Sequence, residues 1–126
     1  MKVGVKQRVR EGEKPKPTRY YSDKQEKTIV KENGGKQTIS SGSTPFSKGD
    51  VLLDEWLLEA KTKTSHSDSI SVKKEWIEKN KKEALFMGKK YQAVVFNFGP
   101  EEDNYYIIDK YIFQELLELL KKKEEE

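Results

Sequence analysis

The stretch YQAVVFNF, Tyr91 to Phe98, constrains the fold most. It is a nearly continuous run of aromatic, β-branched and apolar residues, which is how a central strand buried on both faces reads. In a chain of 126 residues with 33% hydrophobic and 37% charged content, the core around such a strand is small. The remaining apolar positions are therefore structural. The absence of cysteine removes disulfides and thiolate metal sites and predicts one intracellular, cytoplasmic domain. No run of about 18 apolar residues exists, and the N-terminus carries charges and prolines where a signal peptide needs an apolar segment, so a soluble protein with no membrane partner is expected.

Around that strand the chain divides by its punctuation. In YYSDKQEKTIVKENGG, Ser22 with Gln25 three residues on reads as a capping box, and Gly34-Gly35 stops a first helix over Asp23 to Asn33. A short strand at Gln37 to Ile39 precedes a Ser/Gly/Thr loop. Two strands follow, Asp50 to Leu53 and Trp56 to Lys63, joined by a tight turn at Asp54-Glu55. Val72, Trp76, Ile77, Ala84 and Leu85 mark a helix from Val72 to Met87, with Ser71 as N-cap and Gly88 as terminator. After the central strand, YYIIDKYIF reads as an outer strand and Phe113 to Lys122 as an amphipathic helix. The order α-β-β-β-α-β-β-α predicts an α/β fold, a mixed central sheet flanked by helices.

The hairpin GDVLLDEWLLEAK sets three charges on apolar strands. Alternate strand residues share a face, so Glu59 and Lys61 point together, and a tight turn brings Asp50 beside Glu59. Two carboxylates and an ammonium make a poor structural core. They suit a hard divalent cation, which wants oxygen ligands and gains a backbone carbonyl from Ala60. The lysine then orients or deprotonates water, or neutralises phosphate charge. The competing reading is a surface hairpin with an ordinary Glu/Lys ladder.

Charge is uneven along the chain. Residues 1–20 hold seven Lys/Arg against two Glu, while the rest has 18 basic and 20 acidic residues. Residues 1–21 therefore read as a basic, Pro-containing arm able to neutralise phosphates through Arg8, Arg10, Lys14, Lys16 and Arg19, or else as a solubilising tail. Residues 22–122 read as the folded domain and 123–126 as a charged tail.

The pattern SGS…KGD…EAK, followed by SISVKKEWIEKNKKEALFMGKKYQAVVFNF, resembles the PD-(D/E)XK nuclease superfamily, and within it the archaeal and phage-type Holliday junction resolvases. The resemblance covers roughly residues 22–98, and Gly49 stands where the motif has proline. It implies a restriction-endonuclease-like core and a Mg²⁺-dependent endonuclease, Mn²⁺ substituting, that cuts four-way DNA as a homodimer. Carried over, the metal ligands fall on Asp50 and Glu59, the lysine assisting the nucleophile on Lys61, the helix-one acid on Glu26 and the backbone-contacting loop serine on Ser41. Asp23 and Glu32 are alternatives for the helix-one acid. Other outcomes are a restriction- or repair-type nuclease acting on another DNA structure, and a non-catalytic DNA-binding module.

The remaining polar residues carry blander expectations. His66, without a second histidine or a cysteine, reads as an exposed loop residue. Trp56 and Trp76 read as core or dimer packing, and Tyr20 and Tyr21 either as anchors of helix one or as DNA contacts beside the basic arm. Lys63, Lys73 and Lys74 either line a phosphate path or form a solvated basic face.

Overall fold

The structure, a computed structural model, describes residues 16–38 and 50–126. Its elements are α1 (Thr18–Asn33), β1 (Lys36–Gln37), β2 (Asp50–Leu52), β3 (Trp56–Lys61), α2 (Lys74–Phe86), β4 (Tyr91–Phe96), β5 (Tyr105–Ile107) and α3 (Lys110–Glu125). The five strands form one sheet in the order β1-β2-β3-β4-β5. Pairing is antiparallel except between β3 and β4, which run parallel with α2 as the crossover. The chain is thus α/β with a mixed sheet and the expected element order. Among the described residues no helix is long and apolar enough to cross a membrane.

β4 is the organising strand, with five consecutive buried residues. Pleating sends Val51, Leu58, Ala93 and Val95 to one face, where they form a core cluster with Ile29 of α1. The same alternation sends Asp50, Leu57, Glu59, Lys61, Gln92 and Val94 to the other face. There α2 buries Asn80, Glu83 and Ala84. Asn80 joins helix to sheet by donating through Nδ2 to Gln92 Oε1 (2.6 Å) and to the Ala93 carbonyl (3.1 Å).

Two glycines make the connections possible. Gly88 has φ +72° and closes α2 with a pair of bonds, Gly88 N–H to Leu85 O and Lys89 N–H to Ala84 O, the Schellman arrangement. Gly35 has φ +82°, and a Cβ there would stand 2.4 Å from the Leu52 carbonyl oxygen, so only glycine lets β1 turn in against β2.

Several boundaries differ from those the sequence predicts. α1 begins at Thr18, behind Pro17, and Ser22 is no cap: its Oγ donates to the Arg19 carbonyl inside the helix. Proline lacks an N–H and holds φ near −65°, so it starts a helix without a side-chain cap. Residues 18–21, read as arm, are thus the first turn of α1. α2 starts at Lys74 without a side-chain cap, and Val72 and Leu85 are exposed while Asn80 and Glu83 are buried. β3 ends at Lys61, and the strand read over residues 37–39 is Lys36–Gln37, with Ile39 outside the described residues. The outer strand stops at Ile107 because Asp109 caps α3, accepting from the Ile112 N–H at 2.9 Å, so DKYIF is cap and helix rather than strand. A charge-assisted cap outweighs the β preference of Tyr111, Ile112 and Phe113. α3 also runs on to Glu125, through most of the segment read as a tail.

Asp109 also meets Lys81 of α2 at 3.2 Å, and cap and ion pair together hold its carboxyl below the usual range despite partial burial. Asp109→Ala is expected to cost about 1 kcal/mol, the usual worth of an N-cap. Denaturant unfolding checks this; an unchanged midpoint would show α3 to be held by other contacts.

Candidate functional site

The β2–β3 register sets Asp50 directly opposite Glu59. Asp50 is 1% exposed and Glu59 7%. Like charges directly opposite in a ladder repel, and burial strengthens the effect. Each carboxylate keeps one buried oxygen without a hydrogen-bond partner, Asp50 Oδ2 and Glu59 Oε2. Burial, then the charges of Glu83, Glu59 and Glu26, push the Asp50 carboxyl up to about 8.

α1 brings the third carboxylate. Glu26 is fully buried, with Oε1 accepting from Gln37 Nε2 (3.0 Å) and Oε2 unpartnered. Burial raises its pKa against the pull of that bond. Of the two alternatives for the helix-one acid, Asp23 is half-buried, pairs with Lys27 (2.9 Å) and shares Gln37 Nε2 with Glu26 (2.7 Å to Asp23), and Glu32 is exposed beside Asn104. Only Glu26, of these three, adds to the charge felt by Asp50.

Lys61 follows two residues after Glu59 on the same face, with Nζ 3.1 Å from Glu59 Oε1 and 4.9 Å from the Trp76 ring centre. Between them lies Ala60, in register with Val95 of β4. Trp76 is thus half-buried beside the charged cluster rather than packed in the apolar core, and the ring face attracts the ammonium and restricts where it can go. From the opposite side Gln25 Nε2 donates to the Lys61 carbonyl (3.2 Å) and lies 3.4 Å from the Val95 carbonyl, tying α1 to the strand ends that carry the cluster.

α2 supplies Glu83, 4% exposed, which sequence reasoning missed along with the roles of Gln25 and Trp76. Its carboxyl is also raised, by burial and then by Glu59. The signal was available: Trp76, Asn80 and Glu83 fall at helical spacing on one side of α2.

The other predicted residues divide. Lys16 and Arg19 stand exposed at the start of α1, with Lys16 Nζ over the Tyr20 ring at 4.3 Å. Lys63 is half-buried and reaches the Ser69 carbonyl at 3.4 Å. Ser41, Arg8, Arg10 and Lys14 lie outside the described residues. His66 is not a free loop residue, since it is partly buried and its Nδ1 pairs with Glu102.

Among the described residues no three His, Cys, Asp or Glu side chains are closed up around one point. Glu26 and Glu59 are each drawn aside, by Gln37 and Lys61. The donor set nevertheless fits a hard divalent cation: it is all oxygen, comes from α1, β2 and β3, and leaves three buried carboxylate oxygens unsatisfied. No protein-family model, curated protein or solved structure matches the chain.

A raised carboxyl pKa destabilises the fold once the group ionises. For Asp50 that loss develops as pH rises from about 3.8, its ordinary value, to about 8. In chelator, thermal stability is therefore expected to fall between about pH 5 and pH 8, by a few kcal/mol at roughly 1.4 kcal/mol per pKa unit. Mg²⁺ or Mn²⁺ should restore it mainly at the alkaline end, and Asp50→Asn should remove most of both effects. A flat profile in chelator would show the carboxylates to be solvated rather than buried.

Proposed function

We propose that the chain is a divalent-metal-dependent endonuclease that hydrolyses DNA phosphodiesters. The observation that supports this best is the burial of Asp50 and Glu59 directly opposite each other, each with an unpartnered buried oxygen, beside the Lys61 ammonium, with the buried Glu26 adding to the charge felt by Asp50. A surface Glu/Lys ladder would leave both side chains in water, whereas Glu59 is 7% exposed. Burying such a cluster costs stability, and a cost of that kind is ordinarily retained for binding or chemistry.

In this reading Asp50 and Glu59 would hold the cation, Glu26 would add a third carboxylate and the Ala60 backbone, between Glu59 and Lys61, would supply a carbonyl oxygen. A bound divalent cation would supply a lowered pKa for water and charge to offset the phosphate. Lys61, confined between Glu59 and Trp76, orients the attacking water or neutralises the developing negative charge on the phosphate oxygens. Hydrolysis joins the water oxygen to phosphorus and breaks one P–O ester bond, and the proton goes to the leaving oxygen. Gln25 fixes the backbone of Lys61, so it positions the lysine without touching the reacting atoms.

The preference for four-way junctions, and the symmetric dimer that paired cuts require, rest on the resemblance of the SGS…KGD…EAK pattern to Holliday junction resolvases. Lys16, Arg19, Lys63 and the basic residues before them supply phosphate contacts. Incubation of the full chain with Mg²⁺ and labelled duplex, nicked and four-way DNA tests the reading. Paired cuts in the four-way substrate support it. Cleavage of another structure alone points to a restriction- or repair-type nuclease, and binding without cleavage to a DNA-binding module.

Asp50→Asn and Glu59→Gln are expected to lower cleavage by at least about 10³-fold, the scale of losing a principal catalytic interaction, while junction binding holds or tightens. Lys61→Ala should reduce the rate far more than the affinity. Rapid-quench cleavage beside gel-shift titration separates the two, and a folded Asp50→Asn protein cutting at the normal rate would overturn the assignment.

Deleting residues 2–15, which leaves α1 intact, is expected to weaken binding to every DNA shape and flatten the salt dependence by about 0.9 log-log units per lost phosphate contact. Salt titrations of the truncated and full chains measure this. An unchanged slope would make the segment a solubility tail.

A further inference from the structure

The pairing register continues the charged row of the sheet onto an aromatic edge. Lys61 of β3 lies opposite Phe96 of β4, and Phe96 lies opposite Tyr105 of β5. Partners in register on neighbouring strands point to the same face, so both rings stand on the face that carries Asp50, Glu59 and Lys61. At about 4.8 Å per strand, the backbone of Tyr105 is about 10 Å from that of Lys61. The Phe96 and Tyr105 rings stack, 5.6 Å apart at 24°, and Phe98 meets both edge-on at 5.4 and 5.5 Å.

Packing within this trio occupies only one side of Tyr105. β5 is an edge strand, so no further strand covers the outer side of the ring, and Tyr105 is 50% exposed. Its neighbour Tyr106, on the opposite face, serves the fold instead: its hydroxyl accepts from Asn33 Nδ2 at 2.7 Å and ties β5 to α1. Among the described residues Tyr105 makes ring contacts alone. In the turn before β5, Glu101 is paired with Lys24 (3.1 Å) and Glu102 with His66, which leaves Asp103 as the unpaired acid near the ring.

A flat aromatic surface beside an ammonium matches a nucleotide, which offers a π face and a phosphate a short distance apart. A base inside a duplex is stacked on both sides, so only an unpaired base can bring its face to a protein ring. From this arrangement we infer that Tyr105, backed by Phe96, stacks on an unpaired base of the strand whose phosphate lies at Lys61. The site then takes DNA that is single-stranded or opened beside the bond to be cut. The inference rests on the endonuclease reading above and narrows its substrate class, since a fully paired duplex offers the phosphate without the base. Base identity matters little to such a contact, because every base has a π face.

Binding of the full chain to short single strands, with Ca²⁺ in place of Mg²⁺ to hold back cleavage, is compared with binding to abasic strands of the same length, which keep every phosphate. At one salt concentration the wild type is expected to hold the base-bearing strand roughly tenfold tighter. Tyr105→Leu keeps apolar contact with Phe96 and Phe98 but lacks the ring; it should lose that preference while binding the abasic strand as before. Tyr105→Phe should keep the preference, and Tyr111→Ala, at an exposed position of α3, should change neither affinity. An iodouracil-bearing strand irradiated with the wild type should crosslink at Tyr105 or Phe96, which decides the point without any variant. Equal affinity for the two strands, a preference that survives in folded Tyr105→Leu, or crosslinks confined to other residues overturns the inference, while cleavage of duplex, nicked and four-way DNA still decides the endonuclease reading. No binding to any DNA overturns both.

Discussion

The repulsion between Asp50 and Glu59 is the constraint around which the described residues are arranged. Two acids directly opposite on neighbouring strands would ordinarily face water, yet here both are buried, and Glu26 and Glu83 are buried with them. A fold of this size has a stability margin of only about 5–15 kcal/mol, so such a cluster persists only if the surrounding elements hold it in place. The apolar cluster of Ile29, Val51, Leu58, Ala93 and Val95 does so from the far side of the same strands. One residue of strand slippage would exchange the two sets and destroy both faces.

The frame is fastened where the strands approach the charges. Gln25 bonds the carbonyl of Lys61 and Asn80 bonds β4, so α1 and α2 are each tied to the sheet by a buried amide. Thr38 adds a third tie, donating through both N–H and Oγ1 to the Asp50 carbonyl. Such bonds are directional and fix position more closely than apolar contact. Side chains held in this way are pre-organised, which is what a site acting on charge requires. The consequence for stability is opposite in sign: the fold is expected to lose stability as its buried carboxylates ionise and, under the proposed function, to regain it on binding a cation.

The division of labour along the chain follows from the same arrangement. Glu26, Asp50, Glu59 and Glu83 are buried in the sheet-and-helix unit, whereas Lys16 and Arg19 stand exposed at the beginning of α1. Attraction for a polyanion therefore belongs to the exposed cations and the basic segment before them, while the buried carboxylates repel a phosphate unless cations intervene. Under the proposed function, binding and cleavage are separable for this reason.

Much of this was legible before any coordinates. β4 announces itself through its continuous apolar run, because a strand covered on both faces has no polar side to reveal. The two-residue period of a strand places Glu59 and Lys61 on one face and makes Asp50 opposite Glu59 the consequence of a tight turn. Gly88 marks the end of α2 because no other residue takes a positive φ so readily. Other features depended on contests between local preference and packing. Pro17 rather than Ser22 starts α1, and the cap at Asp109 turns an apparent strand into helix, since local signals of similar strength compete there. That Glu26 is buried while Asp23 is half-buried and Glu32 exposed follows only from where α1 sits on the sheet. Glu83 looked like one more charge on a charged helix. Which side of α2 is buried depends on what the sheet presents to it, and residues far apart in sequence present that surface together.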